Sequence, residues 1–358
     1  MQRIKYYDTL RFLAIFGVIA LHVFQSFEGA TLAGIKLISL SEIFEFAVPV
    51  FLMISGALLL NREMPIDEFL KRRFARLTYP FILYLIIYAV ILFLLMSLFG
   101  GFSGLGKWLS NLPLNYNWYF WTIASLYLSV PILSKFVRHS SFRELEYFLA
   151  VLIFGCIFYQ ITLLLGIKHF VDLNFFVSPI AYLILGYYLA NKDFKIPTNR
   201  IITIALILFA LTTLIKMSGH VFHIPMQLIE NYEATRSMIL SSYIDMGLAQ
   251  IIQASALFIF ARFVYESKDG IYLSINNFLN GSFVSKFILS VSMASYGMYL
   301  FHHTIIDPLR EVLKNLALGG SLTLLLIIVL TVSIFIICWI VVMLISKVPF
   351  IGKYSGFH

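Results

Sequence analysis

The stretch Tyr7-Asp8-Thr9-Leu10-Arg11-Phe12-Leu13-Ala14-Ile15-Phe16-Gly17-Val18-Ile19-Ala20-Leu21-His22-Val23 is an apolar run with an arginine near one end and a histidine near the other. Ionisable groups are costly inside a bilayer and usually mark a function there, so this segment governs how the rest of the chain is read. On a helix, the eleven-residue step from Arg11 to His22 advances about 16 Å and turns about 1100°, three full turns plus about 20°. The two side chains therefore share one face at different depths. Asp8, three residues before Arg11, lies on nearly the same face, where it can pair with the guanidinium. Two readings stand: a headgroup-level anchor with a hydrogen-bonded packing histidine, or a functional pair turned toward a polar interior.

The whole chain shares this apolar character. Of its 358 residues, 60% are hydrophobic and 12% charged, against about 25% charged in soluble domains. Ile, Leu and Phe come in long runs without the strict alternation of a transmembrane barrel. The fold class expected is an all-α integral membrane protein. Runs of about 17 to 25 apolar residues place about ten transmembrane helices in a single bundle, near 9–28, 43–60, 77–99, 118–137, 146–166, 174–190, 200–217, 238–263, 284–306 and 321–346. The first segment lacks a small-residue cleavage site and is read as a retained span. No loop is long enough for a separate soluble domain, and there is no repeat or low-complexity tract. Cys156 and Cys338 both sit in apolar runs and suggest neither a disulfide framework nor a metal site.

Net charge is +8, but its distribution matters more than its size, and no nucleic-acid partner is expected. Most Lys and Arg residues fall in the N-terminal stretch, the even-numbered loops and the tail, including Arg3, Lys5, Arg72, Arg73, Arg76, Arg138, Lys192, Arg262 and Lys347. The excess of basic residues on one side puts both termini in the cytoplasm.

Several spans carry polar groups. In the second, Glu42 and Glu45 lie one turn apart near the outer surface, where either carboxylate would orient His22 or simply be solvated at the helix mouth. Pro49 is expected to kink this helix, and Ser55-Gly56 permits close helix contact. In the most basic loop, Arg72, Arg73 and Arg76 have the spacing of one amphipathic face. Guanidinium groups in that pattern suit a phosphorylated ligand, while topology and anionic headgroups are the commoner reason for it. Asn115-Tyr116-Asn117-Trp118-Tyr119 reads as an aromatic belt whose rings would also stack on a sugar. Asp245, Gln250 and Gln253 are expected to bond to neighbouring helices. The loop carrying His220, His223, Glu230, Glu233 and Arg236 is placed at an outer entrance, and its H-x-x-H spacing lacks a firm third ligand. In the ninth span Tyr296, Tyr299 and His303 descend one face by steps of three and four, with His302 beside them.

Arg11-x10-His22 preceded by Asp8, Phe51-Leu52-Met53-Ile54-Ser55-Gly56, Arg73-x-x-Arg76, Trp118-Tyr119 and Ser295-Tyr296-Gly297-Met298-Tyr299-Leu300-Phe301-His302 together resemble the membrane acyltransferase-3 family, bacterial inner-membrane proteins that O-acylate carbohydrates. The motifs run from the first span to the ninth, so the resemblance covers residues 1–358 as one transmembrane domain. It implies acetyl-CoA or another acyl-CoA as donor on the cytoplasmic side, with Arg73 and Arg76 matching the family's arginine pair and Arg72 beside them. Arg11 and His22 match its paired active-site residues. The acceptor implied is a hydroxyl of a surface polysaccharide or lipid-linked glycan, with Glu45, Trp118, Tyr119, Tyr296, Tyr299 and His302 as candidates to bind it. Many relatives append an esterase-like domain. None is visible in this sequence, so transfer is expected to finish within the membrane domain or through a partner such as a glycan assembly complex. No metal is expected.

Chemically, a thioester is already activated and needs chiefly a base and an aligned alcohol. Neutral His22 would take the hydroxyl proton, and Arg11, braced by Asp8, would bind the donor or steady developing negative charge. An acyl-enzyme on Ser55 is not required. The competing class is a secondary transporter or lipid-linked sugar flippase, against which stands the lack of an inverted hydropathy repeat. The blandest class is a structural membrane subunit. Coenzyme A binding that depends on Arg73 and Arg76 separates the three.

Overall fold

The computed structural model describes residues 3–99, 118–164, 171–173, 175–221, 247–268, 270–313 and 319–357. Its helices are α1 (Lys5–Gln25), α2 (Ala47–Leu59), α3 (Ile66–Phe99), α4 (Trp118–His139), α5 (Phe142–Leu164), α6 (Pro179–Asn191), α7 (Thr198–Val221), α8 (Leu248–Glu266), α9 (Gly270–Asn280), α10 (Ser282–Leu313) and α11 (Gly320–Ser346). Each expected span overlaps one of them, and residues 165–166, 174 and 238–246 of those spans lie outside the described residues. Among the described residues eight segments are long and apolar enough to cross a membrane. The two expected spans outside that set fall on α5 and on α6, which has only 13 residues.

The second span differs from expectation. A 3-10 helix over Leu37–Phe44 leads into α2, which starts at Ala47. Pro49 thus lies in the first turn, where a missing N–H breaks no intrahelical bond, and it starts the helix rather than bending it. Helix α9 was not anticipated from the hydropathy. It presents Tyr272, Ile275 and Leu279 to a small core of Ile201, Ile202, Phe263 and Val264 and leaves Ile271 and Phe278 outward, the pattern of a helix lying along the membrane interface.

Helix α1 is central, with 67% of its span buried against 28% for the spans of α3 and α7. Phe12 packs edge-on against Phe287 of α10 and Phe335 of α11, at 5.8 and 5.7 Å between ring centres. Such pairs are favoured by the ring quadrupole. Between α2 and α6 the backbones touch: a Cβ on Gly56 would collide with the Leu183 carbonyl, and one on Gly186 with the Met53 carbonyl. Bilayers reward small residues at helix crossings because packing replaces the hydrophobic drive. Helix α5 opens on a capping box in which the Ser141 N–H and hydroxyl both donate to Glu144, which holds that carboxyl below its usual range. Finally, the C-terminal segment folds back. The Tyr84 hydroxyl donates to the Ser355 carbonyl at 2.9 Å, and Gly356, at φ +76°, sits against the Gly297 backbone, where a side chain would not fit.

Candidate active site

Residues from five helices and the returning tail enclose a cavity of about 310 Å³. Helix α1 supplies Arg11 and α2 supplies Phe51 and Ser55. Arg73 and Arg76 come from α3, and Tyr119, Ile123 and Tyr127 from α4 at steps of four. Helix α10 adds Ser292, Ser295, Tyr296 and Tyr299, and Gly356 closes the wall. Among the described residues, three guanidinium groups and no carboxylate line this space. A site so charged favours an anionic ligand.

Asp8 lies just outside and is more heavily engaged than the sequence suggests. It accepts two hydrogen bonds from Arg3, at 2.7 and 2.8 Å, and one from the Ser292 hydroxyl at 2.7 Å. Its distance to the Arg11 guanidinium is 3.8 Å. Asp8 therefore ties the start of α1 to α10, and the same bonds raise the pKa of Arg3. Arg11 keeps only the looser contact, which leaves its charge directed at the cavity. Tyr296, whose hydroxyl donates to the Leu77 carbonyl at 2.7 Å, pins α10 to α3 beside the two arginines.

His22 does not line that cavity. It belongs to a nest at the far end of α1, with ring centres 5.2 Å from His302 and 4.7 Å from His303. Each imidazole is oriented through Nδ1: His22 toward Gln25 Oε1 at 3.0 Å, His302 toward the Tyr299 carbonyl, and His303 toward Asp307 Oδ1 at 3.2 Å. These oxygens are acceptors, so each Nδ1 donates, and in a neutral ring Nε2 then holds the lone pair. The two places adjoin through one side chain. Tyr299 lines the cavity and touches Tyr119, and its ring centre is 5.6 Å from that of His302. Arg11 and His22 thus face two different places, the cavity and the packed histidine nest, with the Tyr299 ring between them.

The remaining candidates divide. Tyr119, Tyr296, Tyr299, Arg73 and Arg76 reach the cavity, and His302 the histidine nest. Arg72 is exposed and pairs with Glu68, about 100° around the helix from Arg73. Trp118 packs on Tyr119 and is 41% exposed, off the cavity wall. Glu45 takes a bond from Gln250 at 3.2 Å, and Glu42 an ion pair with Lys216 at 2.9 Å. Both glutamates therefore join the 3-10 helix to α7 and α8. The carboxylate placed beside the histidines is Asp307, which the i,i+4 spacing from His303 on an apolar helix could have flagged. Gln250 and Gln253 do bond across to the neighbouring segments. Asn115, Tyr116, Asn117, His223, Glu230, Glu233, Arg236 and Asp245 lie outside the described residues, as does the His220 side chain.

A family model described as an acyltransferase domain matches residues 4–343. No curated protein and no solved structure matches the chain.

Proposed function

Because the chain belongs to the acyltransferase-3 family over residues 4–343, and so is a multi-pass membrane acyltransferase for groups other than aminoacyl groups, we propose that it O-acylates a carbohydrate from acyl-CoA. The donor is acetyl-CoA or a related thioester bound from the cytoplasm. The acceptor is a hydroxyl of a surface polysaccharide or lipid-linked glycan presented from the opposite face, alone or within a glycan assembly complex. The protein then spans a bacterial inner membrane ten times with both termini inside, α5 and α6 completing the set.

The observation that carries this reading is the convergence of Arg11, Arg73 and Arg76 on one cavity. Arg73 and Arg76 grip the nucleotide phosphates of the donor, with bidentate geometry that lysine would not offer. The acyl end of the pantetheine arm passes Tyr299 to reach the nest. There His22, its Nδ1 proton directed to Gln25, offers Nε2 as the base that takes the acceptor's proton. The alcohol oxygen attacks the thioester carbonyl, the carbon–sulfur bond breaks, coenzyme A leaves and an ester forms. Arg11 steadies the negative charge on the donor side, while Asp8 acts at one remove by fixing the helix that carries it.

Two measurements test this. Detergent-purified protein should bind coenzyme A, and the double variant Arg73→Ala/Arg76→Ala should not. Surface glycans from cells with and without the protein should differ by the mass of one acyl group per modified sugar. Coenzyme A binding that ignores both arginines would overturn their place in holding the donor.

A further inference from the structure

We propose that His22, His302 and His303 form a binding site for a borderline transition-metal ion, zinc first among them. One ring nitrogen from each lies within 4.8 Å of the other two. A tetrahedral zinc ion with nitrogen ligands at 2.0–2.1 Å sets them about 3.4 Å apart, so a ring shift of about an ångström closes the site.

Three further features of the cluster point to a cation. His302 is fully buried, and its Nε2 has no hydrogen-bond partner. An orphaned buried acceptor is costly unless something electropositive meets it. Asp307, also turned inward, keeps Oδ2 without a donor while Oδ1 holds His303. The nearest arginine on that helix, Arg310, is directed to the Ser26 hydroxyl at 3.4 Å. The cluster is thus rich in lone pairs and poor in protons.

The orientation of the rings matches as well. Metal-bound histidines characteristically donate their other ring N–H to a carboxylate, carbonyl or amide oxygen, which fixes the tautomer. Here Asp307, the Tyr299 carbonyl and Gln25 fill those three roles. Neutral imidazoles suit zinc, copper or nickel, whereas calcium and magnesium take oxygen ligands. Three protein ligands leave a fourth position for water.

The consequence for catalysis rests on the functional reading above. An ion on His22 Nε2 occupies the lone pair that would accept the acceptor's proton, so zinc is an inhibitor of transfer rather than a helper.

The test is a cobalt titration of chelator-treated, detergent-purified full-length protein. A single Co²⁺ ion per chain should bind with the visible absorption of a tetrahedral site, and zinc should displace it. His302→Ala and His303→Ala should abolish the absorption. Asp307→Asn should weaken binding about 10- to 100-fold while leaving the ligand set intact. Thermal melting shows whether each variant is folded. A folded wild-type protein that binds no cobalt overturns the proposal, as does full binding by folded His302→Ala. Coenzyme A binding is read separately, so failure of the functional reading leaves the titration decisive. In the transfer assay, zinc should slow the wild type and chelator should restore it; undiminished transfer by zinc-loaded protein overturns the inhibitory role.

Discussion

The cavity and the histidine nest share α1 and α10, with Arg11 and His22 about 16 Å apart along α1, yet they are built in opposite ways. The cavity is walled by guanidinium groups on long stems around open space, with a loop glycine as part of the wall. In the nest, three short rings are each held through Nδ1 by a fixed oxygen. Long cationic side chains gain from a ligand that arrives with its own charge and then leaves. Anchored imidazoles direct a lone pair without first paying rotamer entropy. On the proposed function, the difference separates grip from proton transfer within one bundle, with Tyr299 between them.

The sharpest way to break that division is to remove the base. His22→Ala should lower acyl transfer by about 10²–10⁴ while coenzyme A still binds, as measured by transfer assay and calorimetry on the same preparation; a variant that loses donor binding would merge the two places into one. Next in size, Arg73→Ala and Arg76→Ala should each weaken coenzyme A binding by about 10- to 100-fold, the loss of a charge-assisted bond of about 1.5–3 kcal/mol, and a transfer rate restored by excess donor would sharpen the assignment. Gln25→Leu leaves the imidazole in place but frees its tautomer. It should cost about 2- to 10-fold in transfer with donor affinity unchanged, and no change would show that His22 is oriented by something else. Smallest of all, Arg72→Ala removes an exposed pair with Glu68 worth at most about 1 kcal/mol. It should alter neither readout much, and an effect as large as that of Arg73→Ala would mean that the basic face acts as a whole.

How much of this was legible beforehand depends on whether a feature is local. The face shared by Arg11 and His22 follows from helical pitch, and the apolar runs follow from the bilayer's thickness. Both could be read directly. The start of α2 was not, because Pro49 reads as a kink until the preceding 3-10 turn is known. Asp8 was assigned to Arg11 by spacing, but Arg3 and Ser292 compete for it, and Ser292 lies 284 positions away. The glutamates were assigned to His22 by depth alone. Depth does not give the angular position of a helix in a bundle, and the partners turned out to be Lys216 and Gln250. Tyr127 was missed although its step of four from Ile123 was visible. Gly356 could not be foreseen, since a tail that returns to a cavity wall has no hydropathy signature.

The glycine contact between α2 and α6 also bears on how the protein is made. Gly56 and Gly186 stand 130 positions apart in the chain, and a ribosome adding 5–20 residues per second takes roughly 6 to 26 s to cover that distance. Throughout that interval the bare backbone strip of α2 lacks α6, and α1, made earlier and packed on α2, is at hand to cover it.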